Sequence, residues 1–213
     1  MIHARVQHHP SRSKLLPRLL HHLTPFSPRV VEHASVPPNP WAGYLQCLQD
    51  LPECSHVLVV QDDAIPAPGF ADVLPLIAAR HPERPVCLWM SSLPAACAGR
   101  ARRARPGLRY IPLGPTNIVP LVAVLWPCQL AINFREWAQT ASRLTRADDS
   151  NVARWVKQLP RDMKPEFMVC LPSIVEHDDF TPTVKGGTRK ESKGKSRDRV
   201  ALLLAEDARQ YDW

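Results

Sequence analysis

Short apolar runs alternate along the first half of the chain with longer stretches in which apolar residues recur at helical spacing. The apolar runs predict strands at residues 2–7, 29–34, 56–61 and 85–92. The longer stretches predict helices at residues 11–23, 40–51 and 69–81. Strands that alternate with helices in this way favour an α/β fold, with a mostly parallel sheet flanked by helices.

The second half of the chain is less regular, although the same two patterns continue. Its apolar runs predict strands at residues 108–113, 118–127 and 166–177, the last ending at His177. Its periodic stretches predict helices at residues 128–144 and 149–159. Glycine, lysine, serine and arginine then dominate, so we expect a single domain over residues 1–185, followed by a flexible basic loop and C-terminal segment over residues 186–213.

The third predicted strand ends on two adjacent carboxylates, Asp62 and Asp63, within "HVLVVQDDAIPAPGF". Two negative charges at the mouth of a buried strand are costly unless something compensates them. Ligands of open α/β sheets bind beyond the carboxyl ends of the strands. We therefore expect this turn to share a crevice with "QHHPSR" after the first strand and with Glu32 after the second.

A carboxylate pair on such a turn suits a hard divalent cation, Mn²⁺ or Mg²⁺. Water and the phosphates of a ligand can complete the coordination shell of such a cation. The structural alternative is that Asp62 and Asp63 only hold the following turn, and an isolated pair favours that interpretation. The preceding apolar strand shifts the balance towards a metal site. His177 lies within "EHDD", where a metal could use imidazole and carboxylate together.

A second acidic pair, Asp148 and Asp149, opens a predicted helix. The pair, or Ser150 after it, could cap the helix and interact favourably with its dipole, and taken alone this interpretation is the stronger one. The functional alternative is a general base that deprotonates an incoming hydroxyl group.

Composition limits the class of protein. Hydrophobic residues make up 45% of the 213 residues, no apolar run approaches membrane-spanning length, and the first residues lack an apolar export signal, so we expect a soluble cytoplasmic protein. The spacing of the six cysteines favours neither a disulfide framework nor a zinc site, and buried free thiols are the preferred interpretation. The net charge of +7 is concentrated at residues 100–109 and 185–199, which suit phosphates or simply solvent.

Three segments together resemble small GT-A-fold glycosyltransferases, particularly the compact ones of tailed bacteriophages and bacteria. "HVLVVQDDAIPAPGF" is similar to the strand and DxD-type motif of that fold. "VAVLWPCQLAINFREW" is similar to its acceptor-side strand and helix. "DDSNVARWVKQLPRDMKPEFMVCLPSIVEHDD" resembles its late acidic position, the next helix and a closing histidine element. With the first strand and helix, the resemblance spans roughly residues 2–185.

The resemblance implies a GT-A-like, Rossmann-like fold and transfer of a sugar from a nucleotide-sugar donor to an acceptor hydroxyl, with inversion if an aspartate faces the sugar. The acceptor could be a protein, DNA or a glycan, and a phage enzyme would act in the host cytoplasm. The implied roles are metal binding by Asp63, Asp62 and His177, catalysis by Asp149 or Asp148, and donor binding by Asp62, the segment His8 to Arg12, Glu32 and Lys185. Gln61 replaces the first acid of a full DxD motif, which leaves Asp63 as the principal ligand.

Two other classes of function stay open. A basic nucleic-acid-binding protein would use the same positive charge, although aromatic residues are not interleaved with the basic ones. A metal-dependent nuclease or phosphotransferase would use paired carboxylates and a histidine, although no P-loop pattern is present.

Overall fold

The computed structural model of the chain describes residues 1–35, 39–90, 95–114, 121–142, 144–145, 147–178 and 201–213. For residues 95–98 it describes the backbone alone. The strands are β1 (Ile2–His8), β2 (Arg29–Glu32), β3 (His56–Gln61), β4 (Ala64–Pro66), β5 (Val86–Cys87), β6 (Tyr110–Leu113), β7 (Ala123–Pro127), β8 (Phe167–Cys170) and β9 (Val175–His177). The α-helices are α1 (Leu16–Leu23), α2 (Pro40–Cys47), α3 (Phe70–Arg80), α4 (Ala95–Arg102), α5 (Cys128–Thr140) and α6 (Asp148–Gln158).

Seven strands form a mixed, mostly parallel sheet in the order β2-β1-β3-β7-β5-β8-β6. Strand β1 lies between β2 and β3 and is parallel to both, whereas β7 is antiparallel to its neighbours β3 and β5, and β6 is antiparallel to β8. The predicted α/β class is therefore confirmed, and the architecture is compatible with a Rossmann-like fold.

Strand β3 lies near the centre of the sheet and is buried on both faces, as its unbroken apolar run predicts. Because side chains alternate along a strand, Leu58 and Val60 pack against the layer that contains α1 and α3. Val57 and Val59 pack on the opposite face, with α2, α5 and α6. The two faces of β3 thus carry two separate apolar cores, one on each side of the sheet.

The connections of β1 and β3 leave the sheet in opposite directions. In the strand order, the chain moves from β1 through α1 to β2 in one direction, and from β3 through α3 to β5 in the other, although both helices pack on the same face. Adjacent parallel strands whose connections diverge leave a crevice at their carboxyl ends, and ligands of α/β sheets bind at such crevices. The fold therefore directs attention to the residues that follow His8 and Gln61.

The predicted single strand over residues 166–177 is wrong, because the structure contains two strands there. Strand β8 lies in the main sheet, and β9 instead pairs antiparallel with β4 in a separate two-stranded sheet. Pro172 lies between them, and proline has no N–H group to continue a ladder of hydrogen bonds. The break allows β9 to bring His177 opposite Ala64, beside the acidic turn.

The end of the described chain packs against the same core as α1 and α3. Ala205, Ala208 and Trp213 are buried there, and the Trp213 indole donates a 2.6 Å hydrogen bond to the Ala208 carbonyl. Residues 179–200, which include most of the predicted basic loop, lie outside the described residues. None of the helices in the described part of the chain is long and apolar enough to cross a bilayer.

Candidate active site

Asp62 lies at the carboxyl ends of β1 and β3, where its side chain is 2% exposed. Its Oδ2 accepts a 2.7 Å hydrogen bond from the His9 backbone N–H and lies 2.9 Å from His8 Nδ1. Its Oδ1 accepts a 3.0 Å hydrogen bond from the Arg12 guanidinium. Residues that leave β1 therefore surround the first carboxylate with hydrogen-bond donors, which is how a buried charge is tolerated.

Asp63 follows in the turn between β3 and β4, and its side chain is 1% exposed. Its Oδ2 is ion-paired with Arg12 and lies 3.0 Å from His177 Nε2. Its Oδ1 is buried and makes no hydrogen bond to any residue that the structure describes. Asp63 therefore combines one oxygen that contacts Arg12 and His177 with a second oxygen that accepts from none of the described residues.

Arg12 connects the two carboxylates. The same guanidinium nitrogen, Nη1, contacts Oδ1 of Asp62 and Oδ2 of Asp63, and the side chain is 11% exposed. A guanidinium stays charged when it is buried, so it compensates much of the repulsion between the neighbouring aspartates. The short 3₁₀ turn Pro10–Arg12, in which the Ser11 backbone N–H donates to the His9 side chain, places Arg12 at this position.

His177 is held against Asp63 by the pairing of β9 with β4. The backbone N–H of Asp178 donates to the Asp63 carbonyl at 2.8 Å, which fixes the two turns side by side. Glu176 folds back, and its Oε1 accepts hydrogen bonds from the backbone N–H groups of His177 and Ala201. The Trp89 ring lies 5.8 Å from the His177 ring, so the imidazole has an apolar neighbour on one side.

Asp148 approaches the end of β3 from the opposite face of the sheet. Gln61 follows Val57 and Val59 in the alternation of β3, and its Nε2 donates a 3.3 Å hydrogen bond to Asp148 Oδ2. The other oxygen of Asp148 accepts from the Asp149 backbone N–H at 2.8 Å. Burial, and next the charge of Asp149, raise the pKa of Asp148 to about 7, although these hydrogen bonds oppose the shift.

Asp149 is less enclosed than Asp148. It is half-buried, and its Oδ1 accepts a 2.6 Å hydrogen bond from the Ser150 backbone N–H. The N-cap of α6 is Ala147, so the predicted cap at Asp148, Asp149 or Ser150 is wrong. The two aspartates instead occupy the first turn, where the dipole of α6 favours negative charge.

Glu32 and Lys185 are not placed in this cluster. Glu32 ends β2 in register with His8, but its side chain is exposed and borders an open pocket of about 310 Å³ on the edge strand. Lys185 lies outside the described residues, as does most of the basic loop. The structure thus brings together His8, Arg12, Asp62, Asp63 and His177, and it places Asp148 beside the same strand end.

Two features of the site were missed from the sequence. The role of Arg12 as a bridge between Asp62 and Asp63 has only one sequence signal, a basic residue in the loop after β1. The contact of Gln61 with Asp148 joins residues 87 positions apart, and no local pattern reports it. Alternation along β3 indicates only that Gln61 and Asp62 face opposite sides of the sheet.

Two side chains of this site belong to the types that can bind a divalent cation. Among the described residues, no three His, Cys, Asp or Glu side chains are grouped so that they could hold a metal ion without other ligands. Asp63 and His177 are nevertheless in contact, and the buried Oδ1 of Asp63 accepts no hydrogen bond from the described residues. One carboxylate and one imidazole suit a cation whose remaining ligands are water and phosphate oxygens.

The sequence matches no protein-family model and no curated protein sequence. A function for this site therefore follows from the chemistry of its own residues and not from a relative.

Proposed function

We propose that this chain is a metal-dependent glycosyltransferase, which moves a sugar from a nucleotide-sugar donor to an acceptor hydroxyl. One observation carries the proposal. A buried carboxylate pair, an arginine and two histidines are grouped at the crevice between β1 and β3, and a buried aspartate with a raised pKa adjoins the same strand end. A buried carboxyl group with a raised pKa, next to a cluster of charged side chains, is typical of an active site.

Within the α/β class, we propose that the domain has a GT-A-like fold. Its support is the resemblance of three segments to that family, together with a mostly parallel sheet in which β3 leads into the acidic turn. In the proposed arrangement, the donor lies across the carboxyl ends of β1 and β3.

Asp63 and His177 are the residues proposed to hold Mn²⁺ or Mg²⁺, with Asp62 in support. A divalent cation bound there supplies positive charge for the leaving diphosphate. Arg12 now occupies the space between the carboxylates, so loading the site requires that its guanidinium move away from Asp63. The displaced guanidinium remains at the crevice, where it can donate to a phosphate oxygen of the donor.

Asp148 is the proposed general base. A pKa of about 7 is suited to accepting a proton from a hydroxyl near neutral pH. Gln61 orients the carboxylate by donating to one of its oxygens. Direct attack by the deprotonated acceptor on the sugar would invert the anomeric centre. Asp149, which is more exposed, is the weaker candidate for this role.

Calorimetry with a panel of nucleoside-diphosphate sugars, each with and without Mn²⁺, tests the proposal. We expect one donor to bind only when Mn²⁺ is present, and Asp63→Asn to abolish that binding. Asp162→Asn is the matched control, because Asp162 is exposed in a short 3₁₀ helix. If no donor binds and the protein instead hydrolyses a nucleic acid, the nuclease alternative replaces this proposal.

A second candidate is nucleic-acid binding, which one observation favours. Arg102, Arg103 and Arg105 are exposed at and after the end of α4, where they could contact a phosphate backbone. A gel shift with DNA and RNA at two salt concentrations tests this candidate. Absence of a salt-sensitive shift would remove it.

A further inference from the structure

Two cysteines far apart in the sequence are in direct contact near the start of β3, at the opposite end of this strand from the carboxylates. Cys54 and Cys128 are separated by 74 positions, yet their Sγ atoms are 2.8 Å apart. This separation exceeds the roughly 2.05 Å of a disulfide bond by less than 1 Å, so a small movement would allow bond formation. Both residues are free thiols in this structure.

The backbone holds the two thiols together. Cys128 is the first residue of α5, and its backbone N–H donates a 2.9 Å hydrogen bond to the carbonyl of Ser55, the residue after Cys54. The next pair along the ladder, His56 and Pro127, belongs to the antiparallel pairing of β3 with β7. The contact therefore belongs to the sheet, so it does not depend on a chance approach of two loops.

Solvent reaches one member of the pair more easily than the other. Cys54 is half-buried, whereas Cys128 is 8% exposed. Burial, and then the hydrogen bond that Cys54 donates to Cys128, raise the pKa of Cys54 to about 12. The thiolate is the reactive form, so the raised pKa slows thiol–disulfide exchange at neutral pH, and a higher pH accelerates it.

We infer that Cys54 and Cys128 are a redox modification site, at which a low-molecular-weight disulfide converts the two thiols into an intramolecular disulfide bond. The Cys54 thiolate attacks the small disulfide and expels one thiolate, which leaves a mixed disulfide on Cys54. The Cys128 thiolate then attacks Sγ of Cys54 and expels the second small thiolate. The two protons lost by the cysteines go to the two small thiolates, so one disulfide is reduced and one is formed.

The bond would act as a structural crosslink, and it would lie outside the candidate active site. It would link the start of β3 to the start of α5, and six residues of β3 separate this position from Asp62. At about 3.3 Å per residue, that is roughly 20 Å. Crosslinking residues this far apart in sequence reduces the entropy of the unfolded chain, so the oxidised protein should be the more stable form.

The test treats the full chain with oxidised glutathione at mildly alkaline pH, followed by mass spectrometry and peptide mapping without reductant. We expect the protein to lose two hydrogens, to yield one peptide pair that joins residues 54 and 128, and to melt several degrees higher than the reduced form. Dithiothreitol should reverse all three changes.

Single substitutions separate this site from the other thiols. Cys54→Ser and Cys128→Ser should each prevent the mass loss and the rise in melting temperature, and Cys97→Ser should leave both unchanged. Cys54 is half-buried, so its replacement by serine should leave the fold intact. Glutathione adducts without the internal bond, or a bond that involves another cysteine, would overturn the inference.

Discussion

Within the described residues, two Asp-Asp pairs lie near the end of β3, and their electrostatic environments are opposite. Asp62 and Asp63 are both buried, and Arg12 compensates both charges directly. Asp148 is also buried, but its described hydrogen-bond partners are neutral groups, and its pKa is raised to about 7. The dipeptide is the same, so the surroundings determine what each pair can do.

The alternation of side chains along β3 produces this difference. Asp62 continues the face on which α1 packs, and the loop before α1 supplies Arg12. Gln61 continues the other face, where it meets the first turn of α6. One strand end thus has a charge-compensated side suited to a phosphate or metal ligand and a less polar side suited to proton transfer.

Among the substitutions that test this difference between the two pairs, replacement of Asp63 should have the largest effect on activity. We expect Asp63→Ala to reduce sugar transfer by more than about 10³-fold, because the variant loses the oxygen proposed to contact the metal. Its circular dichroism spectrum should stay unchanged, and its affinity for Mn²⁺ should fall. Full activity in Asp63→Ala would refute the metal role, and Asp162→Ala provides the exposed control.

The roles of Asp148 and Asp149 are tested by comparing the activities of variants at these two neighbouring positions. We expect Asp148→Asn to reduce turnover by roughly 10³-fold while donor affinity is retained, because the amide cannot accept a proton. Asp149→Asn should cost much less, since Asp149 is half-buried and bonded to the start of α6. The measurement is kcat and KM for each variant. A larger loss in Asp149→Asn would transfer the catalytic role to that residue.

The charge-compensated side is tested through Arg12. Arg12→Met should destabilise the fold by about 3 kcal/mol, because two buried carboxylates lose a shared cation. Added Mn²⁺ should then raise the melting temperature of Arg12→Met more than that of the unaltered protein, since the guanidinium no longer competes for Asp63. Arg18→Met, at an exposed position in α1, is the control. An equal Mn²⁺ effect in both proteins would show that Arg12 and the cation do not compete.

Much of the fold could be predicted from local pattern. The apolar run of β3 and the periodicity of α3 predict these elements to within a residue, because burial on two faces and burial on one face leave different spacings. The prediction fails over residues 166–177. The hydrophobicity there is continuous, and only Pro172 signals that β8 and β9 belong to different sheets.

The candidate site was predicted only in part. Asp62 and Asp63 were found because an acidic pair after an apolar strand is costly. The partners of these residues depend on which strands are neighbours, and that information is not local. Arg12 lies 50 positions from Asp62, and Gln61 lies 87 positions from Asp148. Strand order brings each pair together, and single-sequence patterns do not specify strand order.

The smallest expected effect is on the pH dependence of the free energy of unfolding. It tests the environment of Asp148 without any substrate. The pKa of Asp148 is about 7 in the folded protein, above its ordinary value of 3.8. Between these two values the folded protein keeps a proton that the unfolded chain has released, so its stability decreases as pH rises through this window and levels off above about 7. A full shift of this size corresponds to about 4 kcal/mol, and relaxation around the buried charge should reduce the observed loss to about 2 kcal/mol.

Asp148→Asn removes the titrating group, so its stability relative to the unaltered protein should increase between pH 5 and pH 8. Urea denaturation at several pH values measures the difference, and Asp162→Asn, which replaces an exposed aspartate, should follow the unaltered protein. The opposite slope would mean that Asp148 loses its proton at a lower pH than its burial implies. The contrast between the two pairs would then disappear, and with it the reason to assign proton transfer to Asp148.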